Sequence, residues 1–434
     1  MELVKDKNKD EIRFIGSGVG SGKTHQIIKD IQANAGKGHL YVVPTKKLGK
    51  EIEARLARSD KRLTSKYINN IVRVDSETSD NVIRDVISRV NGNGKTGVTI
   101  ITRQTFHKLF IEMKNKPNML KDYHLIFDEG LKSAFSYRAI LDADKIPLAK
   151  SLFKEIDGQK GFYEINPSEL YQAGNLLQGK QDKFEGHQAL FDSEHFMDIL
   201  RITASGFFRV VIEFTDKTVR MAAALKVDVF ETVASVTIVL ANYLRTPMHK
   251  SLDASNDGRF RFIDMGEIYK EELRNTHKDK GHLISIGHIL HPDDNASITN
   301  LKREIDGRAV WQKCCDAVEN FMPEKNGIQT YLYTLNKIFA DKRALKNGTK
   351  LPTENSGIDD YKRMSDVAVL SAMNIDPDSQ RLLAKVLGCP TERLYMDDSF
   401  NHAYQTVGRC SVRSAELNEP INMIVLSKSI ADDL

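Results

Sequence analysis

The chain has 434 residues, with 63 lysines and arginines against 59 aspartates and glutamates, and a formal net charge of +4. This length suffices for two or three domains with separate cores, and the near balance of charge excludes a uniformly basic nucleic-acid-binding protein, so a polyanion site must be a local patch. No run approaches the ~18 apolar residues of a membrane span, and the four cysteines suggest neither a disulfide framework nor a metal cluster, so we expect a cytoplasmic protein without membrane partners.

The first predicted elements are a short strand, "RFI", the glycine-rich stretch "GSGVGSGKT" and a segment with helical spacing. Glycine adopts left-handed conformations easily, and the N–H groups of such a loop can surround an anion at the start of a helix. The stretch is close to the phosphate-binding pattern G-x-x-x-x-G-K-[ST], with Ser17 at the first glycine position. We expect Lys23 to contact the outer phosphates of a nucleotide and Thr24 to hold Mg²⁺. The residues predicted to bind the nucleotide are Gly18, Gly20, Ser21, Gly22, Lys23 and Thr24.

Short apolar runs alternate with helical segments in the next hundred residues: "HLYVVPT", "VTIITR" and "YHLIFDE". This alternation predicts a parallel sheet with helices on both faces. The last run ends in Asp128 and Glu129. A phosphate-loop enzyme needs two carboxylates at such a strand end, so we expect Asp128 to bind Mg²⁺ through water and Glu129 to handle the attacking water.

The pattern becomes polar and helical at residues 132–202, which predicts an insertion. The runs "FFRVVIEF" and "VASVTIVLA" are expected to complete the first sheet. We predict a first domain at residues 1–252 and a second at 253–434, with a linker at Asp253–Arg259. The later runs "FRFIDMG", "HLISIGHIL", "IQTYLYTLN", "DVAVLSAMN" and "INMIVLS" predict a second sheet of the same class.

The order of five motifs along the chain resembles superfamily-two helicases and translocases: "SGVGSGKT", "YVVPTKKLGKEI", "IITRQTF", "LIFDEG" and "YQTVGRCSVR". The resemblance implies an α/β protein with two RecA-like parallel-sheet domains in tandem and a helical insertion in or after the first. It implies ATP and Mg²⁺ as cofactors and nucleic acid as partner, with DNA favoured over RNA. It also implies hydrolysis coupled to movement along the strand, and the insertion is a candidate surface for protein partners.

The resemblance assigns roles to further residues by their position in these motifs. Pro44, Thr45, Thr102 and Arg103 are similar to nucleic-acid-contacting residues. Gly357 with Asp359 or Asp360 is similar to a nucleotide-sensing motif, and Gln405, Arg409 and Arg413 to the catalytic motif whose arginines neutralise the transferring phosphoryl group.

Several positions depart from the family pattern. The acidic box reads Asp-Glu-Gly-Leu, the two C-terminal arginines are four rather than three residues apart, and only Ala241 matches the coupling motif at Val236–Leu244. On a helix, either spacing of the arginines puts both on one face. The subfamily and the base of the nucleotide therefore stay open. Trp311 is expected to pack in a core rather than stack on bases, and no histidine is assigned to a metal.

Two other functions are consistent with these motifs. A DNA-packaging terminase motor also has a phosphate loop and an Asp-Glu strand, but its second domain would carry a nuclease cluster of carboxylates, and no clear set follows Arg259. A nucleotide-switched nucleic-acid clamp would bind ATP without productive turnover. Measurement of turnover would distinguish the clamp from the motor.

Overall fold

A computed structural model gives the fold of the chain. It describes residues 10–34, 36–58, 70–92, 96–169, 173, 177, 193–273, 280–294, 296–322, 331–351, 361, 364–372, 376–413 and 419–434.

Strands occur throughout the described residues. In chain order they are β1 (Asp10–Ile15), β2 (Gly38–Val43), β3 (Ile71–Arg73), β4 (Val98–Thr102), β5 (Tyr123–Asp128), β6 (Ala134–Ile140), β7 (Phe153–Glu155), β8 (Tyr163–Ile165), β9 (Phe208–Phe214), β10 (Thr218–Leu225), β11 (Ser235–Val239), β12 (Phe260–Asp264), β13 (Ile284–His288), β14 (Glu304–Ile305), β15 (Arg308–Ala309), β16 (Tyr331–Leu335), β17 (Gly348–Lys350), β18 (Asp366–Leu370) and β19 (Ile421–Val425).

The α-helices alternate with these strands. In chain order they are α1 (Lys23–Ala33), α2 (Lys46–Arg58), α3 (Val82–Asn91), α4 (Arg103–Asn115), α5 (Ile146–Ser151), α6 (Glu194–Ser205), α7 (Pro247–Asp253), α8 (Ile298–Lys302), α9 (Val310–Phe321), α10 (Lys337–Ala340), α11 (Pro377–Leu387), α12 (Thr391–Val407) and α13 (Lys428–Asp433).

The chain forms two compact units that do not follow chain order. The first comprises Met1–Ile15, Ile27–Met265 and Asp376–Thr391, and the second comprises Gly16–Gln26, Gly266–Ile375 and Glu392–Leu434. The glycine-rich loop is thus grouped with the second unit, and helix α11 with the first.

The first unit is built on a seven-stranded sheet in the order β12-β1-β11-β5-β2-β4-β3. All its strand pairs are parallel, so their carboxyl ends lie at one edge. Both faces are covered in the interior of this sheet, where every residue of β2 is buried. The second unit has a five-stranded parallel sheet in the order β13-β19-β18-β16-β17. The predicted α/β class with two parallel sheets is confirmed.

Alternation along the strands of the second sheet divides its core into two layers. Tyr331, Tyr333 and Leu335 pack in one apolar cluster with Trp311, whose ring stacks on Phe339. The intervening Leu332 packs in the other cluster, together with Val367 and Val369 of the neighbouring strand. Trp311 is only 7% exposed, as expected for a core residue.

The segment predicted as a helical insertion also contains strands. Strand β6 forms an antiparallel sheet in the order β6-β10-β9, and β7 and β8 form a hairpin. The run "FFRVVIEF" therefore lies outside the seven-stranded sheet, and its assignment to that sheet is wrong. The assignment of "FRFIDMG" to the second sheet is also wrong, because β12 pairs with β1.

Side-chain caps and glycines set several helix ends. Asn81 and Thr102 accept backbone N–H bonds at the starts of α3 and α4. Asp376 caps α11, which has proline in its first turn and ends at Gly388 with a φ of 65°. No helix in the described part of the chain is both long and apolar enough to cross a bilayer.

Candidate nucleotide and nucleic-acid site

The glycine-rich loop begins directly after β1 and ends where α1 begins. Gly20 and Gly22 have φ values of 78° and 92°, a region that side-chain-bearing residues rarely occupy. The Lys23 ammonium donates to the carbonyl oxygens of Ser17 and Gly18, both at 2.6 Å. The loop is thus curled around the lysine that the sequence assigns to the outer phosphates.

Two features of the loop suit a bound phosphate chain. The Ser21 hydroxyl is buried and has no hydrogen-bond partner within the described residues, so it lacks the partner that a buried polar group normally has. A β-carbon placed on Gly22 would meet no described atom within 4 Å. The residues present therefore fit a phosphate chain, and Thr24, the residue that the sequence assigns to the divalent cation, lies in the first turn of α1.

The acidic pair lies at the end of β5, at the same sheet edge at which β1 ends. Asp128 is 2% exposed and accepts a hydrogen bond of 2.8 Å from the Tyr41 hydroxyl at Oδ2. Tyr41 lies on the adjacent strand β2. Burial, followed by the charge of Asp128, raises the pKa of Tyr41 well above its usual value. The hydroxyl is therefore a permanent donor to this carboxylate.

Glu129 has an unusual backbone. Its φ is 61°, and the next residue, Gly130, has a φ of 70°. The Glu129 carbonyl accepts a hydrogen bond from Nη2 of Arg103. A β-carbon on Gly130 would lie 2.6 Å from Cδ2 of Leu240, so the segment that occupies the place of the coupling motif packs directly against the acidic turn.

The residues predicted to contact nucleic acid lie at the same edge of the first sheet. Thr45 is exposed and caps α2, with its Oγ1 accepting from the Leu48 N–H at 3.2 Å. Thr102 caps α4 in the same way, accepting from Thr105 at 3.2 Å. Because β2 and β4 are neighbours, the starts of α2 and α4 lie side by side. Pro44, half-buried, directly follows β2.

The C-terminal motif lies at the end of α12, in the second unit. Gln405 is half-buried in the helix, and Arg409, 2% exposed, follows it. A β-carbon on Gly408 would lie 2.7 Å from Cβ and Cγ1 of Val19, and Tyr404 has a hydrogen bond with the Val19 backbone. The helix end thus contacts the glycine-rich loop directly.

Some predicted site residues cannot be placed. The side chain of Arg413 lies outside the described part, although its backbone belongs to the single turn Ser411–Arg413. Gly357, Asp359 and Asp360 also lie outside the described residues. Within the described residues, no group of three or more His, Cys, Asp or Glu side chains is arranged to hold a metal ion.

Tyr41 and Val19 contact predicted site residues, although neither was predicted from the sequence to do so. A hydroxyl in the middle of the buried run "HLYVV" is a usable signal, because a buried tyrosine needs a hydrogen-bond partner. Nothing in the sequence around Val19 indicates its contact with Gly408, which depends on tertiary structure.

Comparisons with known proteins give one family match. Residues 2–150 match the family described as "Type III restriction enzyme, res subunit". A search of curated protein sequences finds no match to the chain.

Several solved structures are similar at low identity. S. tokodaii Xpd4 has 10% identity and a TM-score of 0.45, over 98% of this chain and 93% of that one. The DUF1998 helicase MrfA bound to DNA and AMPPNP has 10% identity and a TM-score of 0.37, over 97% of this chain and 47% of MrfA, so the chain spans about half of that protein. The DEAD-box helicase Mss116 bound to ssRNA and UDP-BeF has 12% identity and a TM-score of 0.37, over 97% and 68%.

Proposed function

We propose, from the premise that residues 2–150 form a domain of the superfamily-two helicase type, that this chain is an ATP-dependent motor that moves along nucleic acid, with DNA favoured over RNA. The observation that carries the proposal is the loop that directly follows β1: it has two left-handed glycines and a buried Ser21 hydroxyl that has no hydrogen-bond partner among the described residues.

The residues of the candidate site have separate proposed tasks. The loop N–H groups and Lys23 would bind the phosphates, and Thr24 and Asp128 would hold Mg²⁺, which when bound neutralises charge on the phosphate oxygens. Glu129 would orient the attacking water and accept its proton. Gln405 and Arg409 are proposed to act on the transferring phosphoryl group, as is Arg413, because a guanidinium stabilises charge that develops in the transition state.

The nucleic-acid strand would contact the starts of α2 and α4 through its phosphates. Thr45 and Thr102, with Pro44 beside them, are the proposed contacts. Backbone contacts carry no base information, so affinity should depend on salt and hardly on base sequence.

Phosphate release with and without single-stranded DNA, duplex DNA and RNA tests the proposal directly. Lys23→Ala should abolish hydrolysis in a folded protein, whereas Lys29→Ala, an exposed lysine six residues further along the same helix, should leave it unchanged. Glu129→Gln should retain nucleotide and Mg²⁺ but turn over slowly, because the amide keeps the shape and loses the basicity. Full turnover by Lys23→Ala would refute the loop assignment, and absence of turnover in the parent would favour the non-hydrolysing clamp.

A further inference from the structure

We propose that Arg103 is a positioning residue that fixes Glu129 in its left-handed conformation and thereby couples strand binding at the start of α4 to hydrolysis. The inference rests on the proposed motor function. It replaces the direct nucleic-acid contact that the sequence predicts for Arg103 with a role inside the protein.

Arg103 is the first residue of α4, directly after β4, and it is half-buried. Its Nη2 donates to the backbone carbonyl of Glu129. Strand β2 separates β4 from β5 in the sheet order, so the arginine reaches across one strand to the acidic turn.

This hydrogen bond restrains Glu129 in a rarely occupied backbone conformation. Glutamate at a φ of 61° occupies a region that costs free energy for a residue with a β-carbon, and such conformations persist only where their surroundings impose them. A charged donor to the carbonyl of that residue is a strong local restraint. Without it, the peptide after Glu129 can turn, and the carboxylate loses its fixed direction.

At its backbone, Arg103 directly follows the residue that caps α4. The neighbouring Thr102 caps α4, with its Oγ1 accepting from the Thr105 N–H and lying 3.0 Å from the Thr105 hydroxyl. The backbone that carries Arg103 is therefore fixed by the helix start, which is the proposed strand contact. A phosphate bound there would favour one placement of Arg103, and with it one orientation of Glu129. The strand contact and the acidic turn would then share a coupling free energy.

The two roles for Arg103 predict opposite results. As a positioning residue, Arg103→Ala should leave the dissociation constant for single-stranded DNA within about twofold of the parent value and its salt slope unchanged. DNA-stimulated turnover should fall roughly 10- to 100-fold, since small misplacements of a catalytic group have effects of this size. Nucleotide affinity should not change, so the loss should appear in kcat and not in KM. Arg103→Lys keeps a donor and should recover part of kcat.

The experiment uses the full chain, with fluorescence anisotropy of labelled single-stranded DNA at several salt concentrations and phosphate release on the same samples. Arg84→Ala is the matched control, because Arg84 is 71% exposed on α3 and pairs with its neighbour Asp85. If Arg103→Ala does not fold, judged by its thermal unfolding, Arg103→Met carries the same comparison, because it keeps the aliphatic stem and removes the donor.

A lower DNA affinity with a salt slope reduced by about one phosphate, at unchanged turnover without DNA, would overturn the inference and make Arg103 a strand contact. Turnover and affinity equal to those of Arg84→Ala would overturn it as well. In both cases the motor function stands. If the parent protein neither hydrolyses ATP nor binds DNA, the proposed function and the inference fail together.

Discussion

The Tyr41 hydroxyl and the Asp128 carboxylate are joined by a buried hydrogen bond of 2.8 Å between adjacent strands of the first sheet. The donor remains protonated because burial and the neighbouring charge raise the pKa of Tyr41 well above its usual value. Tyr41 therefore restrains the direction of the Asp128 carboxylate, which is the group proposed above to hold the cation.

Removal of this hydroxyl should lower the free energy of unfolding more than removal of a buried hydroxyl that donates to a neutral group. Tyr41→Phe leaves a buried carboxylate oxygen without its donor and should lower the free energy of unfolding by about 1–3 kcal/mol. The matched control is Tyr123→Phe, since the Tyr123 hydroxyl donates to the neutral Val90 carbonyl at 3.1 Å and should contribute about 0.5–1.5 kcal/mol. Urea unfolding measures both, and equal losses would mean that the carboxylate does not depend on Tyr41.

The contact between Gly408 and Val19 should tolerate no added methyl group. In Gly408→Ala the new β-carbon would lie 2.7 Å from two atoms of a buried, β-branched side chain, which has few rotamers to escape into. We expect Gly408→Ala to lower the free energy of unfolding by about 1–3 kcal/mol and to weaken nucleotide binding. Gly281→Ala, where a β-carbon meets no described atom within 4 Å, is the control.

A double variant tests whether the contact with Val19 causes the destabilisation by Gly408→Ala. Val19→Ala removes two of the three close atoms, so Val19→Ala with Gly408→Ala should be less destabilised than the sum of the single variants. Strict additivity in thermal unfolding would place the effect of Gly408→Ala elsewhere.

Buried histidines should make the protein sensitive to mild acid. Burial lowers the pKa values of His39, His107 and His402 to about 4 in the folded protein, against about 6.5 in an unfolded chain. Between those values the unfolded state binds protons that the folded state does not, so stability falls as pH drops, by up to about 1.4 kcal/mol per pH unit for each histidine.

Urea midpoints at pH 7.5 and pH 5 test this dependence. His107→Phe keeps an aromatic ring beside Phe110 and Phe135, which lie 5.4 and 5.6 Å from the histidine ring. It should therefore reduce the loss of stability between the two pH values. An identical loss in the variant would show that His107 titrates normally.

Helix α11 should be held mainly by its apolar face. Arg381 donates to both carboxylate oxygens of Glu213 at 2.6 Å but is 53% exposed, so Arg381→Ala should cost less than about 1 kcal/mol. Leu382 is 1% exposed, so Leu382→Ala should lower the free energy of unfolding by about 2–5 kcal/mol. Chemical unfolding in low and high salt compares the two, and only the arginine effect should weaken with salt. A larger loss for Arg381→Ala would reverse this ranking.

The sequence predicted those parts of the molecule that depend on local pattern. The loop, the strand that ends in Asp128 and the parallel sheets follow from glycine spacing and apolar alternation. The partner of a strand is a different matter: β9 and β12 were identified as strands but assigned to the wrong sheets. A strand's apolar face does not specify its neighbour, and the partner strand β6 lies in a stretch whose polar composition suggested helices.

The backbone conformation and hydrogen bonding of the acidic turn could not be predicted from the sequence. The φ of Glu129 and its hydrogen bond to Arg103 arise where β4 and β5 end near one another, and a motif match assigned that arginine to the nucleic acid instead. Residue type restricts which chemistry is available, whereas tertiary contacts determine which group receives each hydrogen bond.

The membership of α11 in the first unit has a consequence for biosynthesis. The ribosome must complete residue 391 before the first unit has all its parts, so the amino-terminal portion cannot finish folding during translation of its own residues. A fragment that stops at Met265 would leave the antiparallel sheet β6-β10-β9 without the helix that packs on it, and such a fragment should aggregate when produced alone. A soluble version of the first unit requires residues 376–391 to be joined to it through a linker.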